Sequence, residues 1–134
     1  MDAERFDFEN LKVYQKALEY VDCVYEITGN FPKTEVFSLA DQFKRASISI
    51  CLNIAEGSGG SKGEFSRFLK IARRSMRECV SVTEISYRQK FIDEKFRERS
   101  RRFCVELSKM VNGLIKSLKG SENDAPNSEL GTPN

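Results

Sequence analysis

Apolar residues recur along most of the chain at alternating spacings of three and four, the interval at which one face of an α-helix repeats. The first such stretch predicts a helix from about Phe8 to Thr28. Its predicted buried stripe is Leu11, Tyr14, Leu18, Val21 and Tyr25. Gly29 and Asn30 predict the helix end, because both residues tolerate the left-handed conformation that closes many helices.

A second helix is predicted from about Lys33 to Glu56, directly after the Phe31-Pro32 pair. Proline disfavours helix at the residue before it but is tolerated in the first turn of a helix. The predicted buried stripe is Val36, Leu39, Phe43, Ala46, Ile50 and Ile54. The glycine-rich run at positions 57–60 is expected to end this helix.

Ser61 and Glu64 form a candidate capping box, in which each side chain satisfies a free backbone N–H of the other residue. A third helix is therefore predicted to start there and to reach Arg88 or Lys90. Its predicted inward residues are Phe65, Phe68, Leu69, Ala72, Met76, Cys79, Val82 and Thr83.

Asp93 is the predicted N-cap of a fourth helix that ends at Gly120. The predicted buried stripe is Phe96, Phe103, Leu107, Met110, Leu114 and Leu118, with polar Ser100 in the remaining slot. Loops this short force neighbouring helices to run antiparallel. Residues 1–120 are therefore predicted to form one domain, an all-α, antiparallel up-down-up-down four-helix bundle. Residues 121–134 have no apolar periodicity and are expected to form a disordered acidic tail.

The chain offers little equipment for catalysis. It has no histidine, its four cysteines form no C-x-x-C pair, and the predicted core stripes contain no carboxylate. We expect no catalytic residues, no metal site, no cofactor and no enzymatic activity. The cysteines are interpreted as small buried hydrophobes of a reducing compartment, and reactive thiols are the alternative.

Two further classes of function are disfavoured by the sequence. No apolar run is long enough to span a membrane and the N-terminus has no signal-peptide pattern, so a cytoplasmic protein is expected. The glycine-rich run lacks the spacing of a phosphate-binding loop and is interpreted as a turn. A weaker alternative is that its backbone N–H groups and Lys62 contact an anion.

Positive charge is concentrated in the second half of the predicted bundle. Residues 61–119 carry 16 basic and 7 acidic side chains, a net charge of +9, whereas residues 1–60 have a net charge of −4 and residues 120–134 of −3. Arginine outnumbers lysine in the basic part, and its planar guanidinium suits bidentate contact with phosphate or carboxylate.

The basic residues form one face on each of the last two predicted helices. The candidate nucleic-acid-binding residues are Arg67, Lys70, Arg73, Arg74 and Arg77 in the third helix and Lys95, Arg99 and Arg102 in the fourth. Arg97 and Arg101 widen the second face. A solvated helix surface without any partner accounts for the same pattern equally well.

The segment from Asn53 to Gly57 places two polar residues at the end of an apolar helix. Gly57 is expected to be a C-cap, and Glu56 is expected to pair with an arginine of the third helix. The alternative is a binding determinant at this end of the bundle.

Three motifs carry a family resemblance. They are Phe31-Pro32-x-x-Glu35, then Leu39-x-x-Gln42-x-x-Arg45-Ala46-x-x-Ser49-Ile50-x-x-Asn53-Ile54-Ala55-Glu56-Gly57, then Glu64-Phe65-x-x-Phe68-Leu69-x-Ile71-Ala72. Together they resemble the bacterial four-helix bundle proteins encoded in intervening sequences of 23S ribosomal RNA genes. The resemblance covers roughly residues 6–118, and Arg45, Asn53, Glu56 and Gly57 are the motif positions singled out as candidate functional residues.

The resemblance implies a ring-like homopentamer without assigned enzymatic activity. More distantly, the chain is similar to the accessory variability protein of diversity-generating retroelements, a basic pentamer that associates with reverse transcriptase and nucleic acid. Oligomerisation is also indicated by apolar residues outside the predicted core stripes, namely Val13, Tyr20, Ile48, Ile71 and Ile85.

The predicted function is therefore that of a non-enzymatic, oligomeric four-helix protein that binds RNA or another nucleic acid through the basic faces of its last two helices. The first alternative is a protein-interaction adaptor that presents the same surface to an acidic partner such as a polymerase. A purely structural accessory protein without nucleic-acid contact is the second alternative.

Overall fold

The computed structural model of the protein describes residues 4–124, and in this range it contains helices and no strand. The four α-helices are α1 (Lys12–Thr28), α2 (Leu39–Ser58), α3 (Lys62–Arg88) and α4 (Glu94–Asp124). Short 3-10 turns at Asp7–Asn10 and Lys33–Glu35 precede α1 and α2. Each helix packs on its neighbour in the chain, and α4 also packs on α1, which closes the bundle. The predicted all-α fold is confirmed.

The first two helices begin later than the sequence predicts. Leu11 has an extended backbone (φ −70°, ψ 127°) that separates the first 3-10 turn from α1. Ser38 has a non-helical backbone (φ −125°, ψ −98°), and its hydroxyl donates to Glu35 Oε1 at 2.8 Å instead of capping α2. Local hydrogen bonds of this kind compete with helix formation, so the start of an apolar stripe and the start of a helix differ here.

The predicted helix ends are right for α1 and α3, and α2 ends at Ser58 within the glycine-rich run, as expected. The predicted end of α4 is wrong. Gly29 follows α1 with a right-handed backbone (φ −60°) rather than the expected left-handed one. Within residues 4–124, Lys90 is the one non-glycine residue with a positive φ (64°), and no glycine has one. α4 continues through Gly120 to Asp124, because a single glycine weakens a helix without ending it. The remainder of the predicted tail lies outside the described residues.

The buried stripe of α1 is not the predicted one. Its core residues are Val13, Ala17, Tyr20, Cys23, Val24 and Ile27, whereas Leu18 and Tyr25 of the predicted stripe are 44% and 48% exposed. Leu11, Tyr14 and Val21 are partly buried beside the core. α1 carries two apolar stripes of the same spacing, and the packing of α2 and α4 decides which of them becomes the core.

The other three stripes agree with the prediction except at Val36, which precedes α2 and is 44% exposed. Cys104 and Val111 add to the buried face of α4. All four cysteines are buried and unpaired, which confirms the predicted burial. Along residues 4–124, no helix has the length and apolar character that crossing a bilayer would require.

A buried chain of hydroxyl groups joins three of the helices at the centre of the bundle. Tyr20 of α1 and Ser100 of α4 share a hydrogen bond of 2.8 Å, and Ser100 shares another of 2.8 Å with Thr83 of α3. Thr83 in turn donates to the carbonyl oxygen of Cys79 at 2.7 Å. Because unsatisfied buried polar groups are costly, this chain favours one relative position of α1, α3 and α4.

Candidate nucleic-acid interface

The predicted capping box sets the start of α3 and is confirmed. Ser61 Oγ accepts a hydrogen bond from the Glu64 backbone N–H at 3.1 Å, and Glu64 Oε1 accepts one from the Ser61 N–H at 2.8 Å. From this start, α3 buries Leu69, Ala72 and Met76 against the core. The helix period then places the basic residues on the other side of α3.

Five cations form what we call the α3 basic face. They are Arg67, Lys70, Arg73, Arg74 and Arg77. All are exposed except Arg73, which is half-buried. Within the described part of the chain, none of the five forms an ion pair with an acidic side chain. The α3 basic face therefore keeps its positive charge.

Two members of the α3 basic face are held by neutral neighbours. Arg73 Nη1 donates to Asn112 Oδ1 of α4 at 2.8 Å, and the Arg67 guanidinium lies 4.7 Å from the centre of the Phe68 ring. Neither contact neutralises the guanidinium. Each contact already restricts its arginine side chain, so less side-chain conformational entropy is lost when a partner binds.

The three candidates of α4 do not join the α3 basic face. Arg99 Nη1 lies 2.8 Å from Glu26 Oε1 of α1, which turns Arg99 towards the opposite side of α4. Arg99 and Arg102 border a shallow hollow with Lys16 and Glu106, whose charged atoms are 3.0 Å apart. Lys95 is exposed one helical turn before Arg99. These residues form a second surface on the α1 side, and it is partly neutralised by acids.

Different residues of α4 lie beside the α3 basic face. Arg101 and Lys109 of α4 face Arg77 of α3 across a groove of about 270 Å³, which we call the α3/α4 groove. Its apolar lining comes from Met76, Val80, Cys104 and Val105. Sequence reasoning missed Lys109, because the side of α4 that faces α3 is not apparent until the helices are packed.

An ion-pair cluster lies at the Arg101 end of the α3/α4 groove. Glu84 Oε2 of α3 accepts hydrogen bonds from Arg97 Nε and from Arg101 Nη1 of α4, both at 2.9 Å. These hydrogen bonds, that from Arg97 above all, hold the pKa of the Glu84 carboxyl below its usual value. Arg97 also lies 3.5 Å from Glu94 Oε1 and stacks 4.6 Å from the centre of the Tyr87 ring. Positive charge therefore dominates the opposite end of the groove.

The family-motif positions have mainly structural surroundings. The Asn53 amide donates to the Ser49 carbonyl at 2.8 Å and to its hydroxyl at 3.1 Å, and Ser75 of α3 donates to the same hydroxyl at 2.9 Å. Arg45 is 79% exposed in its side chain and pairs with Asp41 at 2.8 Å. These contacts place Asn53 in a polar seam between α2 and α3.

Two expectations for the motif are wrong. Gly57 is buried inside α2 rather than capping it, and a Cβ built on it would lie 2.5 Å from Phe68 Cβ of α3. Glu56 is exposed and forms no ion pair with α3 in residues 4–124. Close packing of α2 on α3 accounts for the glycine at position 57.

Within this same range, no three histidine, cysteine, aspartate or glutamate side chains are placed so that they could bind a metal ion. The features of distinct electrostatic character are the α3 basic face, the α3/α4 groove beside it and the Glu84 cluster.

Comparison with known proteins supplies the family. The sequence profile described as 23S rRNA-intervening sequence protein matches residues 9–113. The chain belongs to this family. The match contains all eight candidate cations and all four motif positions. No curated protein matches the chain.

A solved structure shares the fold of this intervening-sequence protein. It is described as a protein with unknown function from the S23 ribosomal protein family of Bacteroides thetaiotaomicron. The TM-score is 0.72 at 24% sequence identity, over 78% of this chain and 98% of the other. This likeness shows the fold alone, and the more distant relation to the retroelement accessory protein stays a prediction.

Proposed function

We propose that this intervening-sequence protein is a non-enzymatic protein that binds RNA or another nucleic acid through the α3 basic face. The observation that carries the proposal is the set of five cations without ion-pair partners among residues 4–124. Cations that are not neutralised internally displace counterions from phosphates, and this release supplies most of the affinity of sequence-independent binding.

The spacing of the α3 basic face suits a phosphodiester backbone. Positions 67, 70, 74 and 77 follow one another by three or four residues, which is a rise of about 4.5 to 6 Å per step. A nucleic-acid strand that lies along α3 would meet one cation per helical turn. Such contacts position a nucleic acid without reading its bases, so structured RNA is bound by its backbone and shape.

The contribution of α4 differs from the one predicted from the sequence. Lys109 lies across the α3/α4 groove from Arg77 and has no ion pair in residues 4–124, so it extends the α3 basic face. Arg101 lines the same groove but is paired with Glu84. Arg99 and Arg102 lie beside α1, where Arg99 is paired, and Lys95 is exposed one turn before Arg99. We assign the principal interface to α3 with Lys109, because Arg101 is paired with Glu84 at 2.9 Å, and a secondary surface to the other three residues.

We propose that the protein acts as a homo-oligomer, with the pentamer that the resemblance implies. Leu18 and Tyr25 of α1 are 44% and 48% exposed, and Leu52 of α2 is 63% exposed. Apolar exposure of this kind on adjacent helices is typical of an interface. Several copies would repeat the α3 basic face, and simultaneous engagement of one nucleic acid would raise the overall affinity.

One observation favours a second candidate function, a protein-interaction adaptor. Between its cations the α3/α4 groove has an apolar lining, and Val105 is 51% exposed there. An acidic, amphipathic segment of a protein such as a polymerase would match both features. Capture of such a partner that survives nuclease treatment and is lost on Val105→Asp substitution would favour the adaptor.

Titration with a defined RNA hairpin at about 50 mM and about 200 mM salt tests nucleic-acid binding directly. We expect the Arg74→Gln/Arg77→Gln double variant to lose about tenfold in affinity at the lower salt and to show a shallower salt dependence. The matched control is Lys12→Gln/Lys33→Gln, which removes the same charge at two exposed lysines outside α3 and α4 and should stay within about twofold. Absent or salt-independent binding by the unchanged protein would overturn the proposal.

A further inference from the structure

Two arginines of α4 converge on one carboxylate oxygen of α3. Arg97 Nε and Arg101 Nη1 both donate to Glu84 Oε2, each at 2.9 Å. The three side chains are 31%, 45% and 33% exposed, so the cluster is open to solvent on one side. It lies where the α3/α4 groove ends, because Arg101 also lines that groove. The two arginines therefore already bind an oxyanion, which is the Glu84 carboxylate of the protein.

The simplest role for this cluster is a brace between α3 and α4. Two features go beyond a brace. Arg97 has supports other than Glu84, namely the Tyr87 ring at 4.6 Å and Glu94 at 3.5 Å, so its guanidinium stays oriented without that carboxylate. Pairs of arginines at such distances are suited to phosphate as well as carboxylate oxygens.

We propose that Arg97 and Arg101 form a latent phosphate subsite at the end of the α3/α4 groove, which Glu84 occupies until a nucleic-acid phosphate displaces it. The inference rests on the proposed function and adds to it a site and a gating residue. The phosphate takes the position of the Glu84 carboxylate, and no covalent bond changes.

The displaced carboxylate has another partner available on its own helix. Arg88 follows Glu84 by four residues on α3, and it is exposed without an ion pair in the described range. A glutamate four residues before a basic residue is the favourable order for a helical ion pair. Glu84 is one-third exposed, so its release does not strand a buried charge. The exchange replaces one anion with another at the two arginines and moves Glu84 towards Arg88.

The subsite has a consequence for the salt dependence of binding. In the free protein, Glu84 already neutralises Arg101, so a phosphate that replaces it releases few additional counterions. Removing the carboxylate charge leaves Arg101 without an acidic partner and Arg97 with Glu94 alone, so phosphates meet both guanidinium groups from the start. A Glu84→Gln variant should therefore bind RNA more tightly and with a steeper salt dependence than the unchanged protein.

The matched control for this substitution is Glu98→Gln. Glu98 is an exposed residue of α4 without an ion pair in residues 4–124. Its substitution changes the net charge by the same amount but breaks no ion pair. With the same RNA hairpin at about 50 mM salt, we expect Glu84→Gln to bind about fivefold to tenfold more tightly than the unchanged protein, and Glu98→Gln less than about twofold. Thermal unfolding of each variant by circular dichroism shows that the fold is kept.

A third substitution distinguishes a phosphate subsite from an ion-pair cluster that only holds α3 and α4 together. Arg101→Gln should have little effect in the unchanged protein, where Glu84 neutralises Arg101, but should abolish the gain in the Glu84→Gln background. Equal affinities of Glu84→Gln and Glu98→Gln, with RNA binding otherwise intact, would overturn the subsite and leave the proposed function standing. Lack of binding by every variant would overturn both.

Discussion

Gly57 lies inside α2 where that helix packs closely on α3. A Cβ at this position would be 2.5 Å from Phe68 Cβ and 3.2 Å from Phe65 Cδ1. The Phe68 Cβ is fixed to its own backbone and cannot rotate away. A side chain as small as that of alanine therefore has to push the two helices apart.

The Gly57→Ala substitution should lower the free energy of unfolding by about 1 to 3 kcal/mol through overpacking. Gly113→Ala is the control, because a Cβ at Gly113 of α4 has no neighbour within 4 Å. That substitution should raise the free energy of unfolding by about 0.5 to 1 kcal/mol, since alanine favours helix over glycine. Urea denaturation measures both, and a stabilised Gly57→Ala variant would contradict the packing role.

The buried thiols show how environment sets chemistry at single residues. Burial raises the pKa of Cys23, Cys51 and Cys104 from 9.0 to about 11, and it also raises the pKa of Cys79. Because the thiolate is the reactive form, the native protein should react slowly with a thiol reagent at pH about 8 and quickly once it is unfolded in urea. Rapid modification of several thiols in the native state would contradict this prediction.

The same pKa shifts predict a loss of stability in alkali. A pKa raised in the folded state means that the unfolded chain loses its thiol protons first as pH rises. The contribution to stability is complete below pH 9.0 and is lost as pH rises towards 11. The urea midpoint should therefore fall between pH about 8 and about 10.5, and it should fall less in a Cys23→Ala/Cys51→Ala variant than in the unchanged protein.

At the scale of elements, α3 owes its start to the Ser61 and Glu64 capping box. Replacing the Ser61 hydroxyl should cost about 0.5 to 2 kcal/mol, because a backbone N–H of the first turn loses its acceptor. Ser61→Ala should therefore lower the urea midpoint, whereas Ser81→Ala on the exposed side of α3 should leave it unchanged or raise it slightly. Equal effects at both serines would argue against the cap.

Glu64 gives the cap a dependence on pH. Its hydrogen bond from the Ser61 backbone N–H lowers the pKa of the carboxyl below its ordinary value of 4.5. Its stabilising contribution is therefore present above that pH and is lost as pH falls through the lower folded-state pKa. The sequence predicted this cap correctly, because all of its groups lie within four residues of one another.

α1 shows where prediction from one helix alone fails. The stripe that includes Leu18 and Tyr25 and the stripe that includes Val13 and Tyr20 have the same spacing, and both are apolar. Periodicity identifies the helix but cannot choose between them. The hydroxyl chain through Tyr20, Ser100 and Thr83 forms only when the second stripe faces α4 and α3. Long-range polar contacts therefore contribute to the choice.

At the scale of the whole molecule, the apolar surface left on α1 and α2 bears on assembly. If this surface joins copies of the chain, Leu52→Lys should reduce the mass measured by light scattering, because a charge would be buried in the interface. The control is Val105→Lys, since Val105 is a similarly exposed aliphatic residue on a different side of the bundle. A monomeric mass for the unchanged protein would contradict the proposed oligomer.

The sequence by itself determined the four helices, the excess of positive charge in the second half and the basic face of α3. These properties depend on residues close together in the chain, where spacing, capping chemistry and charge can be read directly. The resemblance that pointed to the family also rests on residue order, and the family match over residues 9–113 confirms it.

Tertiary structure alone decided which faces meet. It buried the second stripe of α1, placed Gly57 against Phe68, and turned Arg99 towards α1 while Arg101 and Lys109 came to lie across a groove from Arg77. The physical reason is that the rotation of each helix about its axis is set by the simultaneous packing of all four. Two arginines only two residues apart in α4 can therefore belong to different surfaces.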